Sequence, residues 1–148
     1  MDIKRILFAT DFSEASQPAL RVAASLARDN GAKLILLHAS QTEDYPVGEL
    51  FDEDPQPPHD EMEQLEKIAK RVVNVDCECR WVHCGGSHEA DVIVDAAAKE
   101  KADMIVVGTH GRRGLSHLLA GSVAEKVIRE APCPVLSVRQ KKPSAVKV

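Results

Sequence analysis

Aromatic residues are scarce in this chain. Three Phe, one Trp and one Tyr make up 3% of its 148 residues. So few rings leave the core to aliphatic side chains, and they argue against a stacking surface for single-stranded nucleic acid. Positive charge is also short: the formal net charge is -4, which speaks against a general nucleic-acid binder while leaving room for a local phosphate site. No apolar run approaches the roughly 20 residues of a membrane span. The opening MDIKRILFATDF carries too short an apolar run for a signal peptide. These absences point to a cytoplasmic protein with no membrane and no nucleic-acid partner. Its four cysteines, Cys77, Cys79, Cys84 and Cys133, are then expected as reduced thiols. Neither Gly-Lys-Ser nor Gly-Lys-Thr occurs, which excludes a Walker P-loop. The first turn, Ala9-Thr10-Asp11-Phe12-Ser13, lacks the glycines of a dinucleotide fingerprint. No internal repeat is evident.

What is present suits one ordinary domain: 44% of the residues are hydrophobic and 28% are charged. Ile6–Ala9, Leu34–Leu37 and Met104–Val107 are apolar at consecutive positions, and Pro134–Val138 is a shorter case. Such strands are covered on both faces, as in parallel sheets. Cys77–His83 alternates more and is expected at an edge. Helical faces lie between them. One is Ala19, Val22, Ala23, Leu26 and Ala27, stopped by Asn30-Gly31; a second is Met62, Leu65, Ala69 and Val72. A third is Ala90, Ile93, Val94, Ala97 and Ala98, and a fourth Ala120, Val123, Ala124, Val127 and Ile128, stopped by Pro132 and Pro134. The order β-α-β-α-β-α-β-α-β calls for an α/β fold, an open, mostly parallel sheet with helices on both faces. A single domain over residues 1–139 is expected. Residues 40–60, rich in acid and proline, read as a mobile connection or as a lid over a ligand. Residues 140–148 read as a flexible basic tail.

The stretch GTHGRRGLSHLLAGS, residues 108–122, follows the fourth strand. Ligands of open α/β sheets sit beyond the carboxyl ends of the strands, where the strand order reverses. A helix is expected to begin near Ser122, and its unpaired amides and positive dipole end suit an anion. Gly111, Gly121 and Ser122 could cradle phosphates there, with Arg112 and Arg113 adding charge. A purely structural account stands beside this one. Ser122-Val123-Ala124-Glu125 is a capping box, and Gly108 could serve only a tight turn. Asp11 likewise reads either as a loop cap or as a ligand contact.

Cys77, Cys79, His83, Cys84 and His88 fall close together. Zinc is one reading. Against it, Cys77, Cys79 and His83 share a strand face and Cys84 points the other way, so small cysteines packing beneath a helix is the alternative. A catalytic set is hard to find: near the glycine-rich stretch the one acid is Glu125, which the capping box would use. His110 suits a phosphate donor as well as a proton carrier. A nucleotide held and turned over slowly fits better than an efficient ATPase.

Gly108, Gly111, Gly121 and Ser122 have the spacing Gly, two residues, Gly, nine residues, Gly-Ser. With Ile6–Ser13 at the start, Ala102–Gly108 before the loop and Cys133–Leu136 at the end, the chain resembles the universal stress protein family, in its nucleotide-binding branch, over about residues 2–139. The resemblance implies a Rossmann-like sheet of five strands in the order 3-2-1-4-5. It implies ATP, or AMP or ADP, with Mg²⁺ or Mn²⁺ left open, bound across strands 1 and 4. By the same resemblance, Thr10 and Asp11 stand at the adenosine end, Ala39 at an adenine-contacting position, and Gly108 and Thr109 at the ribose. His110, Gly111, Arg112, Gly121, Ser122 and Val123 surround the phosphates. It also implies a homodimer through the last strand, Val135–Val138, which would cover an apolar edge. The stretch Val82–His88 departs from the family's usual valine, glycine and proline there. The function expected is a stress-response regulator whose contacts with a still unknown protein partner change with the bound nucleotide. A slow ATPase or autophosphorylating protein (through Thr109, Ser116 or Ser122) and a scaffold without nucleotide are the alternatives.

Overall fold

The computed structural model describes residues 1–41, 56–109 and 118–140, the side chains of 118–122 excepted. Among the described residues five strands alternate with four helices: β1 (Arg5–Ala9), α1 (Gln17–Asn30), β2 (Lys33–Ser40), α2 (His59–Arg71), β3 (Cys77–His83), α3 (Glu89–Lys99), β4 (Met104–Thr109), α4 (Leu118–Glu130) and β5 (Val135–Arg139). A short 3₁₀ turn, Glu14–Ser16, precedes α1. The strands form one sheet in the order β3-β2-β1-β4-β5. All four pairings are parallel. The sheet order is the one the family resemblance implies, and Cys77–His83 lies at an edge as its alternation leads one to expect.

The continuous apolar runs are explained by what covers them. Ile6, Phe8, Leu34, Leu36 and Val106 face one layer, where they meet Ala19, Ala23 and Ala27 of α1 and Leu65 of α2. Leu7, Ile35, Leu37, Ile105 and Val107 face the other, against Ala90, Ile93 and Ala97 of α3 and Ala124 and Val127 of α4. Every second residue along a strand points the same way, so a strand buried on both sides must be apolar throughout. Each fully buried aliphatic side chain contributes about 1.5–3 kcal/mol over leaving it exposed. The alanines of α1 recur every fourth residue and let that helix lie close on the sheet. Gly31 ends α1 at φ 63°, a left-handed position that glycine takes without strain.

At the β3 edge the two faces differ. Cys77 and Cys79 pack against the α2 layer, as the packing reading of the cysteines expects. On the other face a line of charges substitutes for apolar cover. Arg5 Nη2 meets Glu100 Oε2 at 2.8 Å, Arg80 Nε meets Glu100 Oε1 at 2.7 Å, and Lys33 Nζ meets Glu78 Oε1 at 2.8 Å. Arg80 also pairs with Glu78. Asp103 Oδ2 accepts from the Lys4 and Arg5 amides, each at 2.9 Å, and so fixes the start of β1 beside β4.

Three boundaries differ from expectation. The fourth strand does not stop at Val107: Gly108 and Thr109 pair with Val138 and Arg139 of β5, which holds them in the sheet. The last helix starts at Leu118 and not near Ser122. Leu118, Leu119 and Ala120 are strong helix formers and open the helix. Gly121 and Ser122 therefore lie within its first turns, and the capping-box reading of Ser122 does not hold. The acidic connection is shorter than 40–60 at both ends. Ser40 belongs to β2, and His59 and Asp60 already belong to α2, where Asp60 and Glu61 suit the positive end of the helix. The remainder of that connection (42–55), the stretch 110–117 and the tail beyond Gln140 lie outside the described residues.

Candidate functional site

The chain runs β1 to β2 to β3 on one side of the sheet, then crosses to β4 and β5 on the other. The reversal falls between β1 and β4. At the carboxyl ends of the strands there lies a cleft of about 850 Å³. A cleft at that point is where a doubly wound sheet takes its ligand, and its size is within the usual range for small-molecule sites.

The first wall is the turn after β1. The Thr10 amide donates to Leu37 O at 2.9 Å, which keeps the turn attached to β2. Thr10 Oγ1 accepts from the Phe12 amide at 3.0 Å, and Asp11 Oδ1 accepts from the Ser13 amide at 2.9 Å. The loop-cap role open to Asp11 is thus filled by one oxygen, and Asp11 still lines the cleft. Phe12 is held at φ 67°, a conformation costly for a bulky residue. Its ring lies on that of His38, centroids 4.1 Å apart.

The second wall comes from β2 and α2. His38 Nδ1 stands 2.8 Å from Thr10 O. A carbonyl only accepts, so that nitrogen carries the proton. His38 Nε2 lies 3.6 Å from Glu61 Oε2. Glu61 is fixed from two further sides: Trp81 Nε1 donates to Oε2 at 2.7 Å and Ser40 Oγ donates to Oε1 at 3.1 Å. Ala39 lines the cleft between these groups.

The third wall is the start of α3. Gly85 and Gly86, at φ 58° and 88°, turn the chain, and His88 then caps the helix, its Nδ1 accepting from the Ala90 amide at 3.1 Å. This is the conformation adopted by the stretch that departs from the family's usual residues. Burial pushes the Glu89 carboxyl above the usual carboxylate range; the charge of Asp11 pushes the same way, against weaker pulls from His38 and His88. Val107, Gly108 and Val123 complete the base of the cleft. Gly108 has no room for a side chain, since a Cβ there would stand 2.9 Å from Ala15 O. Its role is therefore close packing within a strand, not a tight turn.

Of the residues singled out in the sequence, Thr10, Asp11, Ala39, Gly108 and Val123 come together around this cleft. Thr109 is half-buried at the end of β4 and is not among the lining residues. His110, Gly111 and Arg112 lie outside the described residues, and Gly121 and Ser122 are placed only by their backbone in α4. Sequence reasoning missed His38, Glu61 and Glu89. His38 left a signal, being a polar residue directly after the apolar run Leu34–Leu37. Glu61 left none, since its partners come from other elements. The lining offers the carboxylates of Asp11, Asp60, Glu61 and Glu89, and among the described residues it offers no Lys or Arg. These carboxylates can receive hydrogen-bond donors. Among the described residues no three His, Cys, Asp or Glu stand together as a metal site. The thiols of Cys77, Cys79 and Cys84 are all pushed up by burial.

Comparison with known proteins decides the family. The model of the universal stress protein family matches residues 2–139. The chain belongs to the universal stress protein family. A universal stress protein of Thermus aquaticus is 38% identical over 139 residues, covering 92% of this chain and 98% of the relative. A universal stress protein solved in complex with cAMP superposes with a TM-score of 0.72 at 27% identity, covering 95% of this chain and all of the other. One from Archaeoglobus fulgidus in complex with dAMP gives a TM-score of 0.66 at 26% identity, covering 93% of this chain and 99% of the other. Two solved universal stress proteins of the same fold thus hold adenine nucleotides. No helix among the described residues is long and apolar enough to cross a membrane.

Proposed function

We propose that this universal stress protein binds an adenine nucleotide in the cleft between β1 and β4 and works in the cytoplasm as a regulator whose protein contacts depend on the bound nucleotide. The observation that carries the reading is the convergence of Asp11, Ala39, Gly108 and Val123, distant in sequence, on one cleft at the reversal of strand order. The nucleotides held by the cAMP and dAMP complexes of its relatives support it.

The charge of the cleft sets the orientation. Asp11, Ala39 and the α2 side take the adenosine end, where acceptors meet the amine of the base and the hydroxyls of the ribose. The phosphates lie at the opposite end, towards the first turns of α4, with Gly121, Ser122 and Val123. The helix dipole favours negative charge there. His110, Gly111 and Arg112 precede that helix in sequence, with Thr109 at the end of β4 leading into them. The resemblance to the nucleotide-binding branch points to ATP, or to AMP or ADP, as the nucleotide. Any Mg²⁺ or Mn²⁺ would arrive on its phosphates, since the described cleft supplies no metal site of its own. A binder suits this lining better than an efficient ATPase, since among its described residues no Lys or Arg is available to a transferred phosphate.

Gly121→Val tests the reading by calorimetric titration with ATP. A valine side chain near the phosphates should lower affinity at least about tenfold while circular dichroism stays unchanged. Unchanged affinity in a folded variant contradicts the reading. Self-association through the exposed edge of β5, Val135–Val138, is part of the same proposal. Sedimentation should give twice the mass of the chain, and a monomer at micromolar concentration would contradict it.

A further inference from the structure

We propose that Glu61 is the residue that selects an aminopurine, by accepting a hydrogen bond from the exocyclic amine of the base. This rests on the adenine-nucleotide reading above and names the chemistry that reads the base. Glu61 lies in the first turn of α2 and lines the cleft beside Ala39. Its carboxylate is held in one orientation by donors from two strands, Trp81 of β3 at 2.7 Å and Ser40 of β2 at 3.1 Å. A carboxylate has about four acceptor sites, and donation from Trp81 and Ser40 fills two of them. Acceptor capacity therefore remains on a group whose position is already fixed.

Fixing matters energetically. An exposed glutamate would pay in side-chain order for each hydrogen bond it makes to a ligand, and here the protein has ordered it beforehand. Its side chain is 18% exposed, so solvent competes weakly for what remains. A purine with an amine at carbon 6 donates to such a site. A purine with only hydrogen there leaves the carboxylate partly desolvated and unanswered. Sites built to bond a donor reject the analogue lacking it more strongly than apolar pockets reject a missing methylene. Trp81 and Ser40 are positioning residues, since they act on the ligand only through Glu61.

The test compares AMP with purine riboside 5′-monophosphate, which differs only in lacking the amine, by calorimetry on the full chain. The wild type should prefer AMP by about tenfold or more, the strength expected of a hydrogen bond to a charged group. Glu61→Gln should reduce the preference to about threefold or less. Trp81→Phe, which keeps the carboxylate but frees it, should reduce the preference in the same direction and covers the case in which the Glu61 variant does not fold. A merely structural Glu61 would weaken both ligands by the same factor and leave their ratio unchanged; that result overturns the proposal. Equal binding of the two ligands by the wild type overturns it too, while the adenine-nucleotide reading survives. If the wild type binds neither, both readings fall.

Discussion

Gly108 and Ala15 are in backbone contact across the base of the cleft: a Cβ built on Gly108 would stand 2.9 Å from Ala15 O and 3.1 Å from Ser16 Cα. Neither neighbour is the end of a flexible side chain, so neither can swing aside. The contact ties β4 to the turn that carries Thr10 and Asp11. Packing at the base of the cleft thus depends on a missing side chain.

Gly108→Ala should accordingly destabilise the protein by about 1–3 kcal/mol, as overpacking does. Urea denaturation would show a lower midpoint with an unchanged slope. The push falls on the turn after β1, so nucleotide affinity should fall as well. A variant as stable as the wild type would mean that the 3₁₀ turn yields without strain.

The fold was legible because its rules are local. Apolar runs such as Leu34–Leu37 announce strands buried on both faces, and alanines at every fourth position announce α1. Asn30-Gly31 marked the end of α1 for the same reason. Asp11 and Gly108 stood out through the family resemblance, since by itself Asp11 reads equally as a loop cap and Gly108 as a tight turn. Glu61 did not, because what fixes it is the meeting of α2, β2 and β3, and a helix otherwise rich in surface charge hides one inward carboxylate. The start of α4 was misjudged because glycine and serine look like a helix boundary, while the Leu118-Leu119-Ala120 run before them favours helix more strongly.

His38 couples β2 to the turn after β1 through its 2.8 Å hydrogen bond to Thr10 O. His38→Phe keeps a ring against Phe12 but removes the donor, leaving a buried carbonyl without that partner. A loss of about 1–3 kcal/mol is expected, read by chemical denaturation. An unchanged midpoint would show that the carbonyl finds water instead.

Glu89 should make stability fall with rising pH. Its carboxyl is raised by burial first and by the charge of Asp11 second. A group raised in the folded state contributes stability that is complete below its unfolded value and lost as pH rises through the folded one. Glu89→Gln stays neutral throughout, so it should melt higher than the wild type at pH 7. The advantage should disappear below the ordinary glutamate value, about 4.3. Melting curves across that range decide the matter, and a difference independent of pH would rule out the titration of Glu89 as its source.

The cysteines of β3 offer a last test, of what they are for. The Cys77 thiol is pushed up to about 11, by burial first and by the charges of Cys79, Asp76 and Glu78 after it. At pH 8 about one molecule in a thousand then carries the thiolate, against roughly a quarter for an unperturbed cysteine. In a variant retaining only this cysteine, burial and the charges of Asp76 and Glu78 remain; alkylation in native buffer should run at least about tenfold slower than in denaturant, the greater nucleophilicity of a high-pKa thiolate offsetting part of its scarcity, and packing under α2 should slow it further. A rate near that of the unfolded chain would mean that the edge strand opens readily. Slow reaction would fit a thiol selected for its small apolar volume: an oxidant acts on thiolate, and the acidic neighbours of Cys77 oppose its formation.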